Sequence, residues 1–125
     1  MEVKIRIKMD GSDNDRTYYE IIYDDTSIIY TFVVGTMKIA YVNIKYEEIC
    51  HIKFDIHYLI GTNKILDGDF SIYKNDYNFN VMNNHEENRK MNKNKYFSIT
   101  WFPKNYNEIL SMFSFLEKNV WFWWI

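Results

Sequence analysis

The chain has 125 residues, 47% of them apolar and 19% aromatic, which fits one globular domain with a real core and excludes an intrinsically disordered protein. Its net charge of −2 argues against a general nucleic-acid binder, and the single cysteine, Cys50, excludes a disulfide framework or a cysteine metal site. No run approaches the roughly 18 consecutive apolar residues of a membrane span, and the first residues lack the apolar core of a signal peptide. A cytoplasmic protein that makes no membrane contact is the expectation.

In chain order, Val3, Ile5, Ile7 and Met9 alternate with Lys4, Arg6 and Lys8, the period of a half-buried strand with a basic outer face. Asp10 to Asp15 is a turn by composition. Its acids resemble a calcium loop, but Gly11 stands second where an EF-hand needs glycine sixth, so a solvated turn is expected. The β-branched and aromatic runs Arg16 to Tyr23 and Thr26 to Val34 read as a hairpin around Asp24-Asp25. Gly35-Thr36 turns the chain into a strand from Met37 to Tyr46. Glu47 to Cys50 reads as a bend or an edge. The cleanest alternation runs from His51 to Ile60. It places Ile52, Phe54, Ile56 and Tyr58 in the core and Lys53, Asp55 and His57 outside. After a turn at Gly61-Thr62-Asn63, Lys64 to Tyr73 and Tyr77 to Met82 are expected to pair, and Asn83 to Asn94 is a long polar loop.

Tyr96 to Trp101 is the next strand, stopped by Pro103-Lys104. Asn105 is placed as the N-cap of a helix, with Glu108 three residues on. Ile109, Met112, Phe113 and Leu116 recur at helical spacing, and Leu110 and Phe115 widen the stripe. The fold class expected is α+β: a mostly antiparallel, strongly bent sheet or open barrel of about seven or eight strands, covered by one late amphipathic helix.

No motif in this order identifies a chemistry. Asp55 and His57 share a strand face with Cβ atoms ~7 Å apart, a spacing usable for acid–base work or metal binding if other strands supplied further groups. A solvated outer face is the simpler account, and no catalytic or cofactor-binding set is assigned. Cys50 and His51 are neighbours, so on a strand they face opposite ways and form no dyad. Arg89 to Lys95 is a basic run beside many aromatics, better explained as a solubilising loop than as a nucleic-acid groove. Residues 1–50 carry nine acids against six bases. Asp13, Asp15, Asp24 and Asp25 in the first two turns form a candidate acidic patch for a basic partner. The run from Val120 to Ile125 contains Trp121, Trp123 and Trp124. Either it packs back on the core or it binds a partner, since tryptophan is enriched at binding hot spots.

The segment Ser98-Ile99-Thr100-Trp101, followed by Ile109 to Leu116 with its Phe113 and Phe115, resembles the end of small immunity proteins encoded beside contact-dependent growth-inhibition and related polymorphic toxins. The resemblance spans about 25 residues, a small part of the chain, and the Trp-rich end and the Asn/Lys loop depart from the pattern. It implies a cytoplasmic protein that is not an enzyme and that binds and blocks one cognate toxin domain, often a nuclease. It assigns no binding residues. A phage- or virus-encoded inhibitor of a host defence protein has the same physics with a different partner, and a small enzyme using Asp55 and His57 is the alternative from another class.

Overall fold

The structure, a computed structural model, describes residues 1–8, 16–74 and 95–120. Among them are seven strands, all paired antiparallel, and one α-helix. The first sheet has the order β1 (Val3–Lys8), β2 (Thr17–Tyr23), β3 (Ser27–Val34), β4 (Met37–Lys45). The second has the order β5 (Ile49–Tyr58), β6 (Ile65–Lys74), β7 (Lys95–Trp101). The expectation of an α+β, antiparallel fold is met, but one bent sheet is not. Tyr46–Glu48 forms a tight 3₁₀ turn, and the chain leaves it as β5 without pairing to β4, so the strands divide into two sheets that do not close on each other. The turn is fixed in place: the Tyr46 backbone N–H donates to Thr26 O at 3.1 Å, and the Tyr46 hydroxyl donates to Asp24 O at 2.5 Å.

Alternation does most of the folding work. Ile5 and Ile7, Ile21 and Tyr23, Ile28 and Tyr30, and Ile44 fill the inner face of the first sheet. Ile52, Phe70, Ile72, Phe97, Ile99 and Trp101 fill that of the second. Tyr30 and Phe97 stack across the gap with ring centroids 4.4 Å apart. Burial pushes the Tyr30 phenol up to about 12, with the neighbouring Tyr19 adding to the shift.

The helix, α1 (Tyr106–Val120), completes this core with Ile109, Met112, Leu116 and Val120. Phe113 is half-buried against Phe54 of β5, centroids 5.0 Å apart. Phe115 meets Tyr23 of β2 at 5.4 Å. The helix therefore spans the opening between the two sheets. Leu110, expected in the stripe, is exposed because it falls on the opposite side of the helix from Met112 and Leu116. Asn105 is not a simple N-cap. Pro103–Asn105 makes a 3₁₀ turn that runs into the helix, with the Asn105 backbone N–H bonded to Phe102 O at 2.8 Å. Proline begins that turn because its fixed φ suits a helical start and its missing N–H has no partner to lose. The Asn105 amide instead reaches Arg6 O and Glu108 Oε1, each at 3.5 Å, and links the helix entry to β1.

The connections are of two kinds. The Asp24–Ser27 and Tyr46–Glu48 turns meet at one corner, whereas the β3–β4 and β5–β6 connections are hairpin turns. Gly35 (φ 65°) and Gly61 (φ 77°) sit in those two turns, in the left-handed region that disfavours a side chain. The expected strand Tyr77 to Met82, the loop Asn83 to Asn94 and the acidic turn Asp10 to Asp15 lie outside the described residues.

Candidate interaction surface

Asp24 and Asp25 occupy one turn and do different things. Asp24 Oδ1 accepts from the Thr26 backbone N–H at 2.8 Å, the Ser27 backbone N–H at 3.0 Å and the Thr26 hydroxyl at 3.1 Å. Those backbone donors hold its carboxyl below the usual aspartate range. Asp24 is thus the clasp of the β2–β3 turn, an Asx-type turn in which the side chain replaces a backbone partner. Asp25 is exposed. Asp13, Asp15, Trp121, Trp123 and Trp124 lie outside the described residues.

Apolar exposure that sequence periodicity did not indicate appears on two hairpins. Val34, Met37, Ile39 and Tyr41 are exposed on the β3–β4 hairpin, and Tyr58, Leu59, Ile60 and Leu66 are exposed on the β5–β6 hairpin. Ile60 is 96% exposed. β5 ends at Tyr58, which pairs with Ile65 on the last rung of the sheet beyond the core, and Leu59 and Ile60 follow in the turn. That corrects the expectation of a buried Tyr58, which is 53% exposed. On β4 a register shift opposite Phe32 and Val33 leaves Ile39 without a ladder partner. The signal available in the sequence was apolar residues flanking glycine turns, where polar ones are usual.

The outer face of the second sheet lies beside the β5–β6 turn. Asp55 of β5 is the register partner of Asp69 of β6, and His57 is the partner of Asp67. Expected as a pair, Asp55 and His57 take different partners. Asp55 is 3.4 Å from Lys53 Nζ, while His57 Nδ1 is 2.8 Å from Asp67 Oδ1 and Nε2 is 3.6 Å from Asp69 Oδ2. The bond to Asp67 raises the His57 pKa above its ordinary value, and the charges of Asp69, Asp67 and Asp55 push the same way. Thr100 Oγ1 donates to Asp69 at 3.3 Å, and the Ser71 and Ser98 hydroxyls are 2.7 Å apart. Ser98 and Thr100 are thus cross-strand partners on this outer face. The outer face of the first sheet has the opposite character, with Lys4 and Arg6 flanking Glu20 at 3.6 and 3.2 Å and the Arg6 guanidinium over the Tyr18 ring.

A groove of about 280 Å³ lies between β1 and the helix, lined by Val3, Ile5, Tyr23, Asn107, Glu108 and Ser111. Burial, helped by Glu108, raises the Tyr23 phenol above its ordinary pKa. The groove is open and at the small end for a ligand site. No group of three or more histidine, cysteine or acidic side chains among the described residues is arranged to hold a metal ion. No helix among them is long and apolar enough to cross a membrane. Comparison with protein-family models, with curated proteins and with solved structures finds no match.

Proposed function

We propose that this protein acts by binding: it neutralises a cognate toxin domain, such as a nuclease, through a one-to-one complex in the cytoplasm, as the immunity proteins it resembles do. The observation that carries this reading is the run of neighbouring apolar side chains left exposed on each of two hairpins. Exposing large apolar residues together has no value to the fold and is the mark of a contact surface. The reading from another class, an enzyme using Asp55 and His57, has less support. Asp55 is paired with Lys53 and His57 with Asp67 on an open strand face, so the two do not form a relay and nothing there excludes water from a reaction. An inhibitor of a host defence protein would use the same surface and differ only in its partner.

The test is co-expression with the protein encoded beside it. A complex that survives gel filtration at one-to-one mass, together with restored growth of cells making that protein, is the expected result. Separate elution and unrelieved toxicity overturn the proposal.

A further inference from the structure

We infer that the edge of β5 is a self-association site, at which β5 of a second copy of this chain pairs antiparallel about Phe54 and joins the copies' three-stranded sheets into one. The inference concerns the protein alone and stands apart from the toxin-binding proposal. β5 is the edge of its sheet: it pairs with β6 on one side and, among the described residues, with no strand on the other. Alternate N–H and C=O groups of such a strand point outward and form a template for another strand. The ladder to β6 shifts between Ile49 and His51 and again between His57 and Tyr58. Its regular stretch therefore runs from His51 to His57 and has Phe54 as its midpoint. A shifted ladder bends its strand, so only the stretch between the shifts is presented straight to a neighbour.

That stretch, His51-Ile52-Lys53-Phe54-Asp55-Ile56-His57, is complementary to its own reverse. An antiparallel copy centred on Phe54 sets Phe54 against Phe54, Ile52 against Ile56 and Lys53 against Asp55. Moving the centre to Lys53 or to Asp55 sets that charge against itself, which disfavours the pairing. On the core side, Phe54 and Ile56 pack on the core but are only partly buried, and a neighbouring strand would cover what remains. On the outer side, Lys53 and Asp55 are 3.4 Å apart along their own strand. That pair is kept, and the second copy adds one more opposite charge beside each member. Charge thus fixes the register, while the backbone edge and the apolar side chains supply the contact. His51 falls opposite His57 in this register, and burial together with Lys53 lowers the His51 pKa, so two like charges do not meet there near pH 7.

One strand edge makes a small interface, below about 1,200 Å², so the dimer is weak, with Kd on the order of 10–100 µM. It opens at the dilution of gel filtration and leaves a one-to-one toxin complex intact. Sedimentation velocity of the full chain, below and well above that Kd, reads it. Lys53→Asp and Asp55→Lys each set like charges opposite one another in two places and should weaken the dimer about tenfold or more. An equimolar mixture of the two variants restores opposite charges and should associate within about threefold of the parent, as should the double exchange in one chain. Pairing within a chain cannot produce recovery on mixing. A parent that stays monomeric, single variants that associate like the parent, or a mixture that stays monomeric each overturns the inference. Backbone amide exchange gives a readout without substitution: amides between His51 and His57 should slow as the parent's concentration rises. Slowing confined to other residues, or seen on β5 only when a different protein is added, overturns the inference. Toxin binding stands or falls separately, on the co-expression test.

Discussion

At the corner where the Asp24–Ser27 and Tyr46–Glu48 turns meet, an acid is consumed by the fold: Asp24 closes the β2–β3 turn and its carbonyl takes the Tyr46 hydroxyl. At the β3–β4 and β5–β6 hairpins, glycines make the turns and apolar side chains project from them, uncovered by the other described residues. The corner has an acid, Asp24, that looks available in the sequence and is structural, beside an Asp25 that stays exposed. The hairpins have apolar residues that look like core and are surface. A side chain's chemical type therefore predicts its role less well than what remains unpaired once the backbone has taken what it needs.

That contrast can be broken or sharpened by mutation, and the largest effect is expected two residues from the exposed Leu66. Gly68 of β6 lies against the Trp101 ring, and a Cβ there would overlap Trp101 Cζ2 and Cε2. Gly68→Ala should displace the wholly buried Trp101 and cost about 4 kcal/mol, near that of losing a buried large aromatic. Urea unfolding measures it, and a midpoint unchanged within error would mean the ring has room to move. Tyr46→Phe removes one hydroxyl at the corner and should cost about 1–2 kcal/mol, because the Asp24 carbonyl loses its partner in a part-buried site.

Asp24→Ala should cost about 1 kcal/mol near neutral pH, since the turn's amides lose an ionised acceptor but remain near water. The sign with pH follows from the lowered carboxyl pKa of the folded state. The contribution is present above the unfolded-state value and disappears as pH falls through the folded one. The variant's stability deficit should thus shrink in acid, and a deficit independent of pH would show that the carboxylate's charge is not what holds the turn. Ile60→Asp should change unfolding free energy by less than about 0.5 kcal/mol. A larger loss would place Ile60 in the core.

His57 gives the finest contrast, read by NMR titration. Its pKa should lie above that of an ordinary histidine, and Asp67→Asn should lower it. With the folded value raised, the pairing favours the fold below the unfolded pKa and fades as pH rises through the folded one.

The elements governed by periodicity were legible in the sequence. The β5 register came from Ile52 and Phe54 against Lys53 and Asp55, and the helix face from Ile109, Met112 and Leu116. What periodicity does not encode is where a strand leaves the core. Tyr58 and Ile60 continue the pattern of Ile52, but Tyr58 is on the last rung of the sheet, opposite Ile65, and Ile60 lies past it in the turn. The split into two sheets was likewise hidden, because it depends on Tyr46 meeting Asp24, 22 residues away. Gly68 carried a readable sign, a glycine inside an apolar strand pattern, which marks a close approach. Composition counts carboxylates without saying which ones the backbone takes, so it did not distinguish Asp24, which holds its turn, from Asp25, which is exposed.

The helix spans an opening whose two sides are made by β1 and β5, and its entry is linked to Arg6 across 99 residues of sequence. Such closure has a kinetic consequence. During synthesis the first sheet can form its local hairpins early, yet Ile5, Ile21 and Tyr23 keep an uncovered flank until α1 has emerged. Contacts of such sequence separation slow folding, because a long loop must close before they contribute. The nascent chain thus passes through an interval in which its apolar sheet is open to other chains. Its yield in cells should depend on how quickly the ribosome delivers the last strand and helix.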